Sequence, residues 1–489
     1  MSAYYIFPLL LLYMAVMLYL GYYGFRKVKK ISDYTAALSS YGPFPVALAF
    51  AAVWSSAVTY IGVPGFIYGI GPAGAHYSYL GMAGTVIATA LATYYFRNMI
   101  EKLRPLSLFD YLGQRFQSNT VAVLAAITYA IGIIFFAASA LTGGGHVLSV
   151  VLDWPYQWGL LLTAGICLAY IYFGGTHGTT LTSIVQASVM CITSIVIFLI
   201  GFVFLYEGGI SEVFARMAAQ DEAFSASHLI SPVDQMFMVP SLIGIFIGHV
   251  VYAYSPHVAK NVLMLQSQRQ VLPFLLWTTL IMSVMILAVW GGAGARAYLA
   301  DPNLHPDASL PTFIMEAFHP LVAALLCVAI FSAAMSSFGP MVLAWAITIT
   351  NDIVKTVFSK RANEISEKKQ FIFTRALLVL ATGFCLAIAW EEPPYLILLM
   401  WAGFGASIAG VGPSAMLSTM WKGTTSAGAI TSNIVGVLSF LAGFLVLQWT
   451  PFEAAAFAVP LSFLALVLVS LFTTPPPAEH VEHLFTYKE

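Results

Sequence analysis

Apolar runs of about twenty residues recur along the whole chain, separated by short polar segments. A helix of about 20 residues just crosses the hydrocarbon core of a bilayer, where only helices and closed barrels satisfy their own backbone hydrogen bonds. Thirteen runs qualify, at 5–24, 44–68, 76–96, 121–142, 158–173, 181–206, 237–254, 271–290, 318–349, 371–390, 395–420, 427–447 and 454–472. The sequence therefore predicts an all-α integral membrane protein of about thirteen transmembrane helices.

The composition is not that of an ordinary water-soluble domain. Of the 489 residues, 60% are hydrophobic and only 8% are charged, against about 25% charged residues in soluble domains. The formal net charge of -1 provides no basic surface for a nucleic acid. We expect a lipid bilayer and a small molecule as partners, and no obligate protein partner.

The distribution of basic residues predicts how the chain is oriented. Cytoplasmic segments of membrane proteins carry an excess of Lys and Arg. If the N-terminus lies outside, 18 of the 20 basic residues fall on cytoplasmic segments, and only Arg216 and Arg296 lie outside. We therefore predict a multi-pass protein of the cell (inner) membrane, with its N-terminus outside and its C-terminus cytoplasmic. It would form a single transmembrane domain over 1–475, followed by a short cytoplasmic tail at 476–489.

Charged residues are missing from the middle of every predicted span. Buried carboxylates usually mark proton relays and sites for divalent cations, so their absence disfavours both. A cation site in such a core must use carbonyl and hydroxyl oxygens, which suit a weakly charged hard cation such as Na⁺. We also find no nucleophile–base pair or metal cluster in a plausible cavity, so the protein is not expected to be an enzyme.

Two spans contain residues that interrupt helices. The second span has Ser55-Ser56 followed by Pro64, and the seventh has Gly248 followed by Pro256. Inverted repeats of five spans each, at about 44–206 and 237–420, would put these interruptions in matching positions, as carriers often do at mid-membrane. Because Gly and Pro are common in membrane helices, the pattern alone also permits ordinary kinked spans.

The ninth span carries a pair of hydroxyls near its middle. Ala333, Ser336 and Ser337 are spaced i, i+3 and i+4 and therefore share one helix face. These oxygens could converge on an ion. Alternatively, the hydroxyls could bond back to carbonyls of the preceding turn, as Ser often does in membrane helices.

Several motifs in order resemble the sodium:solute symporter family, which has the LeuT-like fold. The matching stretches are Gly174-Gly175-Thr176, Trp401 to Ala406, Ala334-Met335-Ser336-Ser337 followed by Asn351-Asp352, and Ser55-Ser56 followed by Gly62-Val63-Pro64-Gly65. The resemblance covers nearly the whole chain. It implies a 5+5 inverted repeat with one extra helix at the N-terminus and two at the C-terminus.

The resemblance also implies one sodium site, of the type called Na2 in this family. Its ligands would be the carbonyls of Ala52, Ser55 and Ala333 and the hydroxyls of Ser336 and Ser337. This ligand set agrees with the site of neutral oxygens that we expect because charged residues are missing from the middle of the predicted spans.

The family's solute position falls beside this site. The candidate solute-binding residues are Trp54, Ser56, Thr59, Ser78, Gly248 and His249. His249 could hydrogen-bond a solute or carry a proton, or it could be a neutral histidine that packs between helices. Trp54 could likewise be a core residue or an aromatic wall of the cavity.

Departures from the family pattern bear on the number of sodium ions and on the identity of the solute. Ser183, Gly339 and Pro340 stand where some members have ligands of a second sodium site, so one Na⁺ per solute is expected. Trp54 stands where proline carriers have Asp, which argues against proline, and the stretch through His146 looks most like the pantothenate branch.

The predicted function is sodium-coupled import, by alternating access, of a small carboxylate or zwitterion such as pantothenate, a monocarboxylate or an amino acid. The alternatives are a proton-coupled or sodium-independent carrier, or a transporter-like sensor.

Overall fold

The computed structural model describes residues 2–27, 41–229, 235–252, 254–265, 267–357 and 367–486. Within these ranges the regular structure is helical, and the only β pairing is an isolated bridge between Tyr41 and Leu265. The predicted all-α class is therefore confirmed.

Twenty-one α-helices are described. They are α1 Ser2–Lys27, α2 Pro43–Ala57, α3 Val63–Ile70, α4 His76–Leu91, α5 Arg97–Leu103, α6 Leu108–Phe116, α7 Asn119–Leu152, α8 Tyr156–Phe198, α9 Gly209–Ala218, α10 Val239–Tyr252, α11 Pro256–Met264, α12 Val271–Met285, α13 Gly291–Leu299, α14 Ser309–Ala317, α15 Pro320–Ile347, α16 Lys355–Val357, α17 Glu367–Ala389, α18 Leu396–Met420, α19 Ser426–Leu441, α20 Pro451–Leu471 and α21 Ala478–Phe485. Short 3₁₀ or π segments extend or join many of them; those at Val58–Gly62, Leu199–Val203 and Pro306–Ala308 matter below.

The count of thirteen membrane spans is not confirmed, because ten helices among the described residues are long and apolar enough to cross a bilayer. One of them, Tyr156–Val203, has 48 residues and would extend about 72 Å if straight. It bends at Gly175, whose φ of 52° lies outside the helical range. The predicted spans 158–173 and 181–206 lie on either side of this bend. Val239–Tyr252 is apolar but shorter than the ten.

The interruption predicted in span two is present, whereas the one in span seven lies later than predicted, because the helix runs through Gly248 and His249 without a break. The helix from Pro43 breaks at Ser56, whose φ is 27° and ψ is -174°. The Ser56 hydroxyl accepts a hydrogen bond from the backbone N–H of Val58 at 3.1 Å and so caps the segment beyond the break. In the seventh span, α10 ends at Tyr252 and α11 begins at Pro256, where the missing N–H of proline costs nothing. The repeat boundaries at 44–206 and 237–420 stay predictions.

The first broken helix lies at the centre of the molecule. Every residue from Val46 to Ala57 is buried, and α2 packs against α8, α12 and α15. Polar groups placed on this helix are therefore held away from both lipid and bulk water.

The predicted tail contains a helix of its own. α21 packs against α5, and the Nε2 atom of His480 lies 3.0 Å from the carbonyl oxygen of Gln114. The segment is too short to fold alone, and these contacts hold it on the body of the protein.

Candidate functional site

The serine pair of α15 faces the break in α2. The Ser336 hydroxyl oxygen lies 3.0 Å from the carbonyl oxygen of Ala52 and 2.8 Å from that of Ala333. The Ser337 hydroxyl donates to the carbonyl of Val53 at 3.4 Å. Ser336 and Ser337 have 0% relative exposure, so neither hydroxyl faces lipid. Ser336 bonds back along its own helix, as one of the two alternatives predicted, and it also reaches across to α2.

These groups form a cage of uncharged oxygens, hereafter the oxygen cage, made by Ala52, Val53, Ala333, Ser336 and Ser337. The cage forms because the break at residue 56 leaves carbonyls of the last turn of α2 without a following N–H of the same helix. Each carbonyl or hydroxyl oxygen has two lone pairs, so oxygens that share a hydrogen bond can still face a cation.

Another predicted ligand, Ser55, makes contacts outside this set of oxygens, and its role as a ligand stays a prediction. Its carbonyl accepts the backbone N–H of Val58, and its hydroxyl donates to the sulfur of Met285 at 3.0 Å. Val53 was not predicted, but its carbonyl is the one that Ser337 reaches. Sequence spacing identified the helix and the turn, but it did not determine which carbonyls of that turn face α15.

A small cavity adjoins the break. All six residues predicted to bind the solute line it, namely Trp54, Ser56, Thr59, Ser78, Gly248 and His249. The other lining residues are mostly apolar or aromatic: Val58, Tyr77, Phe136, Tyr252, Met400, Trp401, Phe404 and Ile408. None of these lining residues is Asp, Glu, Lys or Arg, as the missing charges of the sequence predicted.

Two indole rings in the cavity are fixed by hydrogen bonds to the protein. The Trp54 Nε1 donates to the Thr85 hydroxyl at 3.0 Å, and the Trp401 Nε1 donates to the Tyr77 hydroxyl at 2.8 Å. Because their polar atoms are used in this way, both indoles present mainly π faces and apolar edges to the cavity. Trp54 is therefore part of the cavity wall.

The ring of His249 is also held in place. Its Nδ1 lies 2.7 Å from the carbonyl oxygen of Ile245, so Nδ1 carries the proton and Nε2 is the acceptor in the neutral ring. Tyr77 and Trp401 surround the ring, with centroids 5.5 and 5.6 Å away. The neighbouring Gly248 has no room for a side chain, because an added Cβ would lie 2.4 Å from the Cη2 atom of Trp401.

Residues 301–308 and 391–395 lie together, on the side that we call the predicted external face. There the Tyr68 hydroxyl donates to the carbonyl of Asp301 at 2.6 Å, and the Phe66 ring lies 5.0 Å from the ring of Tyr395. A second, smaller cavity shares Phe404 and Ile408 with the first.

Residues 34–436 match the model of the sodium:solute symporter family, which is most of the chain. The chain belongs to the sodium:solute symporter family. This symporter is therefore a multi-pass membrane transporter and not an enzyme, and its coupling ion is Na⁺.

Known relatives match over almost their full length. The symporter is 26% identical over 497 residues to the high-affinity proline transporter PutP of Bacillus subtilis, covering 97% of this chain and 99% of that protein. It is 23% identical over 454 residues to the sodium/proline symporter 2 of Staphylococcus saprophyticus, covering 88% and 84% of the two proteins.

A solved structure shows the same fold. A Na⁺-coupled sialic acid symporter in a substrate-bound outward-open state superposes with a TM-score of 0.81 at 20% identity, covering 97% of this chain and 98% of that one. The expected LeuT-like architecture of the symporter is thereby confirmed.

The structure also brings together residues that sequence reasoning missed. His146, His305 and Asp307 meet at the predicted external face, although no metal cluster was expected from the sequence. Around the cavity, Tyr252 and Trp401 form walls that were not predicted, although Trp401 belongs to one of the family motifs. Aromatic residues in membrane spans resemble one another whether they face lipid or a cavity, so no local signal distinguished them.

Proposed function

We propose that this symporter imports a small zwitterion or carboxylate together with one Na⁺, and that the ion binds in the oxygen cage. The observation that supports this most is the position of the Ser336 hydroxyl, between the carbonyls of Ala52 and Ala333 and beside the cavity. Neutral oxygens from two helices, buried at a helix break, suit a monovalent cation far better than a divalent one.

Sodium binding would couple two separate parts of the fold. The cage takes its oxygens from α2 and from α15, so an ion that binds both stabilises the arrangement in which these helices are close. Release to a cytoplasm poor in Na⁺ would allow them to separate and the solute to leave. The membrane potential adds about 2.3 kcal/mol per charge per 100 mV to the driving force.

The cavity chemistry supports a zwitterion or a carboxylate. The hydroxyls of Ser56, Thr59 and Ser78 can donate hydrogen bonds to a carboxylate, and the helix start beyond the break contributes a partial positive charge. The faces of Trp54 and Trp401 offer a cation–π surface for an ammonium group.

Proline is the first compound to test, since the relatives PutP and sodium/proline symporter 2 are named for it. Trp54, which replaces the Asp of proline carriers, favours a different solute within the same chemical class. Pantothenate, monocarboxylates and other amino acids therefore belong in the same panel.

Uptake into proteoliposomes tests the proposal. The purified symporter is assayed with labelled proline, other amino acids, pantothenate, monocarboxylates and a sugar, with an inward gradient of Na⁺ or of choline. We expect uptake of one acid or zwitterion only with Na⁺. Uptake that follows a pH gradient and ignores Na⁺ would refute the coupling, whereas a sugar as the sole substrate would refute the solute class.

We also propose that the N-terminus lies outside and the C-terminus in the cytoplasm, because this orientation best satisfies the positive-inside rule. Single cysteines at Ser2 and at Thr486, in a variant without the four native cysteines, can be labelled in intact cells with a membrane-impermeant maleimide. Labelling at position 2 alone is expected, and labelling at position 486 alone would reverse the orientation.

A further inference from the structure

Three separate segments meet at the predicted external face. His146 lies in the last turns of α7, while His305 and Asp307 lie in the connection between α13 and α14, with Asp307 in the 3₁₀ turn Pro306–Ala308. One ligand-type atom from each residue lies within 4.8 Å of the others. Glu392 approaches from the connection between α17 and α18, with its Oε1 atom 3.3 Å from His146 Nδ1 and 4.0 Å from His305 Nε2.

Two buried atoms of this cluster have no hydrogen-bond partner among the described residues: His146 Nε2 and Asp307 Oδ1. His146 is 2% exposed and Asp307 is 0% exposed. A buried polar atom without a partner costs about 1–3 kcal/mol, and more when the group is charged. Two such atoms in one cluster point to a ligand that satisfies both.

The polar contacts already made within the cluster leave it open to a cation. The second oxygen of Asp307, Oδ2, accepts the backbone N–H of Leu396 at 2.7 Å, so the carboxyl group is held in position by the start of α18. On the other side, Oδ1 lies against α3, where a Cβ added to Gly65 would approach it to 2.8 Å. The imidazole rings of His146 and His305 stack with centroids 4.5 Å apart.

We propose that His146, Asp307 and His305, with Glu392 beside them, form a binding site for a divalent transition-metal ion of the Zn²⁺ type. Imidazole nitrogen and carboxylate oxygen are the ligand set that such ions prefer, and the three residues of the cluster leave a fourth position for water or for Glu392. Zn²⁺ with bonds of about 2.0 Å places its ligand atoms about 3.3 Å apart, so binding draws the side chains closer together.

The proposed site is exposed to solvent on one side and buried on the other. The side chains of His305 and Glu392 are 24% and 40% exposed, whereas His146 and Asp307 lie beneath them. An ion arriving at the predicted external face would therefore meet His305 and Glu392 first. This site is separate from the oxygen cage, which contains no nitrogen ligand and no carboxylate.

His305 must exchange contacts when the ion binds. Its Nε2 now lies 3.0 Å from the carbonyl oxygen of Pro393, and its Nδ1 accepts the backbone N–H of Asp307 at 3.2 Å. Coordination through Nε2 replaces the first contact and moves the ring proton to Nδ1, which can then no longer accept the N–H of Asp307. His305 is therefore expected to be a weaker ligand than His146 and Asp307, each of which has an unpartnered atom.

The test is a Zn²⁺ titration of the full-length symporter, purified in detergent without a histidine tag and competed against a chromogenic chelator. One Zn²⁺ per chain is expected, with binding at least tenfold weaker in Asp307→Asn and in His146→Gln. His483→Gln, which changes a histidine of α21 outside the cluster, serves as the matched control and should bind as the unaltered protein does.

Three results would contradict the proposed site. They are no saturable Zn²⁺ binding by the unaltered protein, binding by both variants as tight as that of the unaltered protein, or sulfur ligands in the Zn²⁺ X-ray absorption spectrum. If the two buried variants fail to fold, His305→Gln replaces them, because its side chain is partly exposed. That variant should bind Zn²⁺ several-fold more weakly, and unchanged binding would again contradict the proposal.

Discussion

The oxygen cage and the His–Asp cluster are two candidate cation sites built from opposite chemistry. The cage consists of backbone carbonyls and the hydroxyls of Ser336 and Ser337, all buried at a helix break in the centre of the fold. The cluster consists of imidazole and carboxyl groups at the predicted external face, where His305 and Glu392 are partly exposed. Ionised ligands are expensive at bilayer depth, so a core site must rely on neutral oxygens, whereas a site near water can use charged groups.

Removing a hydroxyl from the cage should have the largest effect. Ser336→Ala deletes the oxygen that lies between the carbonyls of Ala52 and Ala333. Loss of an interaction with a charged group costs about 1.5–3 kcal/mol, which corresponds to roughly 10- to 150-fold in the Na⁺ concentration needed for half-maximal uptake. Zn²⁺ binding at the cluster should not change.

Ser332→Ala is the matched control for this change. Ser332 lies one turn earlier on α15, is equally buried and bonds back to the carbonyl of Ala329 at 2.7 Å. If Ser332→Ala raised the Na⁺ requirement as much as Ser336→Ala, the effect would come from the helix and not from an ion in the cage.

A methyl group added at Gly248 should weaken solute binding in the cavity and leave ion binding at both cation sites unchanged. Its Cβ would lie 2.4 Å from Trp401 Cη2, so the indole has to move. Overpacking of this kind costs about 1–3 kcal/mol, and we expect Gly248→Ala to weaken solute binding by a comparable amount. Gly165→Ala is the control, because nothing lies within 4 Å of the added Cβ there. Equal losses in both variants would place the cause outside the cavity.

The two sites should also respond differently to pH. Burial raises the pKa of the Asp307 carboxyl well above its usual range; Glu392 raises it further, while the N–H of Leu396 acts in the opposite direction. His146, His305 and Tyr156 are the other titratable groups that face it. Because a metal must displace the proton, Zn²⁺ affinity should rise with pH, by up to about tenfold per unit while one proton is released.

The Na⁺ affinity of the oxygen cage should not change over the same pH range, since no ligand of the cage titrates there. Calorimetric titrations with Zn²⁺ and Na⁺ at pH 6, 7 and 8 separate the two behaviours. A Zn²⁺ affinity independent of pH would exclude Asp307 as a ligand.

The smallest effect is expected for Trp54→Phe. This change removes the 3.0 Å hydrogen bond to the Thr85 hydroxyl but keeps an aromatic wall. A neutral hydrogen bond contributes about 1 kcal/mol, so a change of roughly fivefold in the KM for the solute is expected, with the Na⁺ dependence unaltered. A shift in the Na⁺ requirement of similar size would mean that Trp54 also shapes the cage.

Much of the cage and the cavity could be predicted from the sequence. The breaks near Ser56 and Ser255 and the hydroxyl pair on α15 follow from local patterns, whereas the six cavity residues were predicted from the resemblance to the family. The engagement of Ser55 with Met285 could not be predicted, because it depends on how α12 packs against α2.

Two further features could not be predicted from the sequence, namely the contact between residues far apart in the chain and the number of membrane spans. His146 and Asp307 are 161 positions apart, and no local pattern relates them. The number of spans was equally difficult to read, because α8 continues through a bend at Gly175 instead of ending in a polar loop.

Direct measurement of Na⁺ binding to the purified symporter tests the oxygen cage most directly. Thermal unfolding is followed in NaCl and in KCl at equal ionic strength, for the unaltered protein and for Ser336→Ala, Ser337→Ala and Ser332→Ala. We predict that Na⁺ raises the Tm of the unaltered protein and of Ser332→Ala, and that it has little effect on the other two variants. An equal rise in all four proteins, or none in any of them, would contradict a sodium site between α2 and α15.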